Sequence, residues 1–439
     1  MSLIKKTIKE AMKTPGFSLL YIVGVAFTIA FTMIYGMLLY GQLAPIYPEY
    51  DRDSTVYIEQ TMIKSERNSS TRGVGLPFIT EFLHDSLPFI EKITTTECWI
   101  SGFPMVQTDG HGPEFNVQTR YVEPTFFDFY KYEFKAGKPF TQADFDSQLK
   151  VAVISEKVAR RLFQSIDDAV GSYISIDNIK YRITGVFREG SALSIDSYGE
   201  VFFPYIPSVW FKTSPEKYSG GLRAIIKIKP GKENELRAYL RDVCNRINSS
   251  DTTGLKFHLP IVASHAEHVL INPQTDWESP EIKETPSFFD LWKRFLIALL
   301  VLLIIPALNI SNLIGARMDR MAPEIGLRRS FGARRPRLMG MVLTENLVLT
   351  LIGGIVGLIA AWLMVSFAGS FLLELSPITY DNGGTFGPSA AFMTSEMAFA
   401  PILFAATLAL CIVLNIISAW IPARIAMQHQ ITESLNSKR

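Results

Sequence analysis

Cysteine is almost absent: Cys98, Cys244 and Cys411 are the only three in 439 residues, which excludes a disulfide-rich scaffold and a metal site built from four cysteines. Charge is scarce as well, at 19% of residues, and nearly balanced, with 43 Lys and Arg against 42 Asp and Glu for a net charge of +1. That balance argues against a generally basic nucleic-acid binder and an acidic disordered chain. Catalytic signatures are missing too. No G-x-x-x-x-G-K-[ST], H-E-x-x-H or G-x-S-x-G motif and no kinase-type glycine loop occurs, so no catalytic residue is assigned and ATP-driven work is expected to need a separate protein.

What the chain has instead is hydrophobicity, 48% of residues with a mean hydropathy of +0.18, and it is concentrated. No charged residue falls between Lys13 and Glu49, Arg294 and Arg317, Glu345 and Glu374, or Glu396 and Arg424. Each gap exceeds the roughly 20 apolar residues that cross a bilayer core. Four transmembrane helices are therefore predicted, at 17–44, 291–316, 338–373 and 397–422. The first run is longer than the roughly 7 to 15 residues of a signal-peptide core, so an uncleaved anchor is expected. Ile4, Ile8 and Met12, interleaved with Lys5, Lys6, Lys9 and Lys13, predict an amphipathic interfacial helix over 1–16.

Residues 315–337 hold seven arginines, whereas 374–396 hold no Lys or Arg. The positive-inside rule then places both termini, including the tail at 423–439, and the loop at 317–337 in the cytoplasm. The short loop at 374–396 and the long region at 45–290 lie outside. Acidic residues outnumber basic ones in that long region, so the overall neutrality hides a basic inner face and a mildly acidic outer one.

The region at 45–290 is long enough for a core of its own and two subdomains. TVYIEQTMI, ITTTECWISGFPMV and FNVQTRYV alternate as strands do, with PFITEFLHDS between the first two as a helix. KVAVISEKVARRLF reads as a strand running into a helix, and YISIDNIKYRITGVF as a hairpin turning at Asp177-Asn178. GEVFFPYI and LRAIIKIKP follow, then a helix with Leu236, Leu240, Val243 and Ile247 on one face. Residues 259–286 read as an irregular return to the membrane. The fold class is thus a membrane protein with four helices and a large α/β extracytoplasmic domain.

Few residues suggest chemistry. His265 and His268 have a spacing that suits two metal ligands, but Pro260 and the lack of a third ligand favour a surface pair, and no metal is assigned. Cys98 and Cys244 lie outside, where a disulfide is chemically permitted, yet free, partly buried thiols are the simpler reading. Glu345 falls about 12 Å along the third span from Arg337. It is either linked to Asn309 and Asn312, which share a face of the second span, or it snorkels to the headgroups. Gly353 and Gly357 form a G-x-x-x-G suited to close helix packing, and Pro306 suggests a kink.

The loop is the most informative segment. Pro323 and Glu324 suit a helix start, Glu324 and Arg328 pair at i, i+4, and Gly332 suits a stop. So short a helix needs a surface to pack on, and Ile325, Leu327 and Phe331 offer an apolar contact flanked by arginines. On composition alone, a topogenic basic loop solvated at the membrane surface is the favoured reading. The order E-I-G-x-R-x-x-x-G-A, then T-E-N and L-x-G-G-x-x-G-L, resembles the signature of FtsX/MacB-type ABC transporter permeases. The layout of one span, outer domain and three spans is similar as well. So is the stretch from FFDFYKYEFKAGKPF through VAVISEKVARRLF to YRITGVF, which resembles the MacB-type periplasmic core domain, and the ending ARIAMQHQITESL.

The resemblance implies a non-catalytic permease subunit in the inner membrane that transmits ATPase closure to its outer domain by mechanotransmission. Glu324, Ile325, Gly326, Arg328, Gly332 and Ala333 match the family motif of the ATPase-coupling helix, and Ile325, Leu327 and Phe331 would make its apolar contact. Pro336 departs from that pattern and shifts the expected start of the third span. The partners implied are a cytoplasmic ABC ATPase, which binds ATP and Mg, and a second permease, identical or paralogous. A periplasmic adaptor or outer-membrane component would complete an exporter; nucleic acid is not expected, and this chain itself binds no cofactor. Residues 121–200 would form a subdomain inserted into a porter-like part. Export of a peptide or small molecule is the leading expectation. Lipoprotein release and FtsX-like signalling or activation of a cell-wall hydrolase are the alternatives.

Overall fold

The computed structural model describes residues 15–66, 68–84, 86–98, 104–108, 113–205, 217–250, 254–271, 330–374 and 401–426, together with 287, 289–290, 292–293, 296–301, 304, 315 and 327–328. They divide into a unit formed by 1–40, 293–369 and 395–439 and a second formed by 41–292 and 370–394.

In the first unit, two described helices are long and apolar enough to cross a membrane: Pro15–Leu43, with hydropathy 2.2, and Pro336–Phe367, with hydropathy 2.4. The latter lies within the helix Arg335–Glu374. Proline sits in its first turn, where the missing N–H has no intrahelical role, so Pro336 begins this helix rather than breaking it. A third helix, Pro401–Ala426, contains the shorter apolar stretch Phe404–Trp420. Tyr21, Val25 and Ile29 from the first helix pack with Leu338, Val342 and Leu349 from the second and Cys411 and Ala419 from the third. Of the predicted span at 291–316, the described residues 292–293, 296–301, 304 and 315 are helical; the rest lies outside the described residues.

The second unit is built on a 14-stranded sheet. Its strands are β1 (Thr55–Lys64), β2 (Ser69–Val74), β3 (Ile90–Glu97), β4 (Met105–Thr108), β5 (Phe115–Asn116), β6 (Thr119–Val122), β7 (Phe134–Gly137), β8 (Val151–Ser155), β9 (Tyr173–Ile176), β10 (Ile179–Phe187), β11 (Val201–Pro204), β12 (Ser219–Gly220), β13 (Leu222–Ile228) and β14 (Lys256–Ser264). The order runs β12-β2-β1-β13-β3-β6-β11-β8-β10-β9-β4-β5, with β14 on β1 and β7 on β10. The predicted hairpin forms: Asp177 and Asn178, at φ 48 and 63, make the left-handed turn between β9 and β10, the backbone a two-residue hairpin favours. Ser155 caps the helix Glu156–Leu162, which carries the chain from β8 towards β10, its parallel neighbour.

One expectation, the irregular return at 259–286, needs correction. Residues 259–264 are not irregular but belong to β14, antiparallel to β1, and His265–Ile271 is a helix; 272–286 lie outside the described residues. The ladder is irregular near Pro260, with register shifts at Ile58/Gln60 and Gln60/Met62. A proline, which donates no hydrogen bond, is tolerated where pairing is broken or at an edge. N-terminal to residue 121, β4 and β5 join β9, and Val106, Phe115 and Val117 share a core with Ile154, Ile183 and Phe203.

The sheet is buried on both faces around β1 and β13. Val56, Ile58, Ala224 and Ile226 point into a core capped by Leu236, Leu240 and Val243 of the helix Glu233–Ser250. Tyr57 and Ile225 face the other side, towards an aromatic core of Phe126, Phe127, Phe187 and Phe202. This period-two alternation also turns Glu59 and Arg223 to that second side, where the polar residues described next collect.

Candidate functional site

The described residues of the arginine-rich segment, 327–328 and 330–337, present apolar surface. Phe331 is 85% exposed and Leu327 53%, each a large side chain without an apolar cover. Gly332 takes φ +86, and the Ala333 N–H donates to the Arg328 carbonyl at 3.0 Å, the bond that closes a helix C-terminus through a left-handed residue. Arg328 Nη1 lies 3.1 Å from the Met341 sulfur, and Ala333 packs against the helix core. The segment therefore turns directly into the helix Arg335–Glu374, with exposed Arg334 and Arg337 beside it. Glu324, Ile325 and Gly326 lie outside the described residues, as do Asn309 and Asn312.

Along that helix, Glu345 and Asn346 are each 4% exposed. One turn on, the Thr350 hydroxyl donates to the Asn346 carbonyl and so accepts from the Tyr21 hydroxyl at 3.2 Å. The glycine pair lies on the same neighbour, the helix Pro15–Leu43. A Cβ at Gly353 would stand 3.0 Å from the Ile22 carbonyl oxygen and from Val25, and one at Gly357 2.5 Å from the Ala26 carbonyl oxygen. These are backbone-to-backbone approaches that only a residue without a side chain permits. The arrangement ties the segment carrying Phe331 to the first helix.

A buried ionic cluster in the outer unit went unrecognised in the sequence. His265 and His268 are not a surface pair: they are 5% and 6% exposed. His268 Nδ1 contacts the Glu59 carboxylate, and its Nε2 lies 3.3 Å from Asp196 Oδ1. Arg223 Nη1 donates to the same Asp196 oxygen at 2.6 Å. Burial opposes the His268 charge, but Glu59 and Asp196 outweigh it and lift its pKa above the ordinary value. Burial likewise opposes charge on Glu59 and Asp196, yet His268 and Arg223 hold both carboxyls below theirs. Tyr57 stacks on His268 with ring centroids 4.9 Å apart. Among the described residues no group of three or more His, Cys, Asp or Glu is placed to hold a metal. Cys98, Cys244 and Cys411 are free and buried, and the Cys98 thiol donates to the Glu59 carbonyl.

Among the described residues of the site, no nucleophile has a base beside it. The arrangement supplies, among the described residues, exposed apolar side chains at Leu327 and Phe331, a closely packed helix pair and a second unit with a charged interior.

Comparison with known proteins agrees with this arrangement. Residues 18–243, just over half of the chain, match the model of the MacB-like periplasmic core domain, and residues 296–431 match the FtsX-like permease C-terminal domain. The chain is 24% identical over 269 residues to the pyoverdine export ATP-binding/permease protein PvdT of Pseudomonas savastanoi pv. phaseolicola, covering 60% of this chain and 37% of that protein. It is 21% identical over 317 residues to the macrolide export ATP-binding/permease protein MacB of Escherichia coli K12, covering 72% of this chain and 42% of that one. The chain thus spans less than half the length of these curated relatives. Among solved structures, the periplasmic region of MacB from Actinobacillus actinomycetemcomitans aligns with 50% of this chain and 94% of its own, at 14% identity and a TM-score of 0.33.

Proposed function

We propose that this chain, which belongs to the family of FtsX/MacB-type ABC transporter permeases, is a non-catalytic permease subunit that couples a partner ATPase to rearrangement of its outer domain. It sits in the inner membrane with four spans, cytoplasmic termini and a periplasmic domain. It works as a dimer with a second permease, and ATP and Mg are bound by the ATPase. The observation that carries this reading is the exposure of Phe331 and Leu327 in a segment rich in arginine. Water-exposed phenylalanine on a basic turn is costly unless a partner covers it.

The sequence of Glu324, Ile325 and Gly326, which lie outside the described residues, fits the family motif of the coupling segment. Closure of the ATPases displaces this segment and, through Gly353 and Gly357, the first span. Substrate is moved on the periplasmic side without passing through the membrane. Export of a small molecule or peptide is the reading favoured by relatives whose names record pyoverdine and macrolide export.

The test is to purify the chain with an ABC ATPase encoded beside it. Complex formation and raised ATPase activity are expected, and both should be lost in the double variant Ile325→Asp, Phe331→Asp. A double variant that still binds and stimulates the ATPase overturns the coupling-helix assignment.

A further inference from the structure

A helix C-terminus leaves carbonyls without intrahelical partners and carries a partial negative charge. The last residues of the helix Pro15–Leu43, from Gly41 on, already belong to the outer unit, and other residues of that unit take up those carbonyls. Arg52 Nη1 donates to the Gly41 carbonyl at 2.8 Å and to the Ala44 carbonyl at 2.5 Å. His265 Nε2 lies 2.7 Å from the Gln42 carbonyl oxygen. A carbonyl only accepts, so Nε2 carries the proton and Nδ1 accepts from the Tyr57 hydroxyl at 3.1 Å. The ring is therefore neutral, in keeping with its burial and the neighbouring Arg52 charge, which lower its pKa.

Arg52 is itself fixed. Its Nε is 2.7 Å from Glu49 Oε2, and its Nη2 donates to the Ser194 hydroxyl at 2.9 Å. The other Glu49 oxygen accepts from the Ser197 N–H at 3.0 Å. Arg52 and Glu49 are both 2% exposed, and charge-assisted bonds out of water are strong and directional.

The loop that receives these bonds is unusual. Ser191, Ser194, Asp196, Ser197 and Tyr198 are all buried, although loops ordinarily run over the surface because their backbone needs partners. Arg120 on β6 supplies them, donating to the Ile195 and Tyr198 carbonyls at 2.8 and 3.1 Å, and Tyr132 donates to the Ser197 carbonyl. Asp196 binds Arg223 on β13. One buried loop thus touches the helix-capping pair, β6 and β13.

The geometry points to Arg52, with Glu49 and His265, as positioning residues of the transmission: they grip the last turn of the first span and pass its displacement to the buried loop at residues 194–198. This inference rests on the permease reading above.

Hydrogen–deuterium exchange of the full permease–ATPase complex, with and without a non-hydrolysable ATP analogue, tests it. In the wild type, exchange in peptides covering 188–200 is expected to change with nucleotide. Arg52→Met is expected to lose that change and to speed exchange at 41–46, while ATPase stimulation and the protection of β1 and β13 persist. A residue needed only for folding would instead lower β1 and β13 protection. Should Arg52→Met do so, His265→Phe decides, since it removes one helix-end bond and buries no charge; a diminished nucleotide response at 188–200 is expected. A folded Arg52→Met that responds normally overturns the inference, as does wild-type response in His265→Phe where Arg52→Met is unfolded, or a wild type with no response at 188–200. Failure of the permease reading is read separately, as absence of ATPase stimulation by the wild type.

Discussion

Gly357→Ala probes the contact on which the membrane part of the account depends. The added Cβ would lie 2.5 Å from the Ala26 carbonyl oxygen and 3.0 Å from Ala26 Cα and Ile29 Cβ. Ordinary contact for such an atom begins at about 3.4 Å, so the two helix backbones must separate by close to 1 Å; unlike a side-chain tip, neither can swing aside. Overpacking of this kind costs about 1–3 kcal/mol, set against about 1 kcal/mol gained when alanine replaces glycine within a helix. Gly340 of the same helix is the control, because a Cβ there meets nothing within 4 Å, and Gly340→Ala keeps the helical gain alone. Gly357→Ala is therefore expected to be about 1–3 kcal/mol less stable than Gly340→Ala, with a lower midpoint when both are melted in one detergent by tryptophan fluorescence. Equal or higher stability for Gly357→Ala would refute the close backbone approach.

Other expectations follow from the outer domain. The pKa of His268 is raised in the fold by Glu59 on β1 and Asp196, which outweigh burial and the opposing charge of Arg223 on β13, with Tyr57 stacked on the ring. Its contribution is thus fully present below about pH 6.5, the unfolded value, and is lost as pH rises through the folded one. His268→Gln should accordingly be less stable than wild type in mild acid, with the difference shrinking as pH is raised, as read from chemical denaturation; a constant difference would show that the ring is neutral. Removing the other cation of the cluster, Arg223→Met, leaves Glu59 and Asp196 with His268 alone and should cost about 3–5 kcal/mol in the same measurement. Burial pushes the Cys98 and Cys244 thiols up to about 12. Both should resist maleimide until denaturant is added and run at the reduced mass throughout; rapid labelling of the native protein would contradict their burial.

Much of this was legible because local signals agreed with the final packing. Asp177-Asn178 marked a hairpin by chemistry that few other residue pairs share, and the spacing of Leu236, Leu240 and Val243 marked a helix face whatever it packed on. Gly353 and Gly357 had the spacing for close packing, though nothing in the sequence named the first helix as their partner. The strand at 256–264 was obscured by Pro260, whose cost disappears at an irregular ladder position. The ionic cluster was hidden for a different reason. Glu49, Arg52, Glu59, Asp196, Arg223, His265 and His268 come from distant parts of the chain, and each alone looks like a solvated charge. In β1, alternation assigns Tyr57 and Glu59 to the face opposite Val56 and Ile58, which a one-layer reading leaves in water. Only the second layer of aromatic side chains and the buried loop at 194–198 turns that face inward. The unbroken sequence T-V-Y-I-E-Q-T-M-I, with few charges on either face, was the one available hint of two-sided burial.

The central claim is that nucleotide bound by the partner ATPase rearranges the outer domains. The direct measurement is pulsed electron resonance between spin labels at Arg246→Cys, an exposed position on the helix Glu233–Ser250, on both permeases of the reconstituted complex. The native cysteines are buried and leave the introduced site as the reactive one. The distance distribution is expected to shift when ATP is trapped, and not to shift in Phe331→Asp. An unchanged distribution in a wild-type complex whose ATPase is stimulated and turning over would contradict the account.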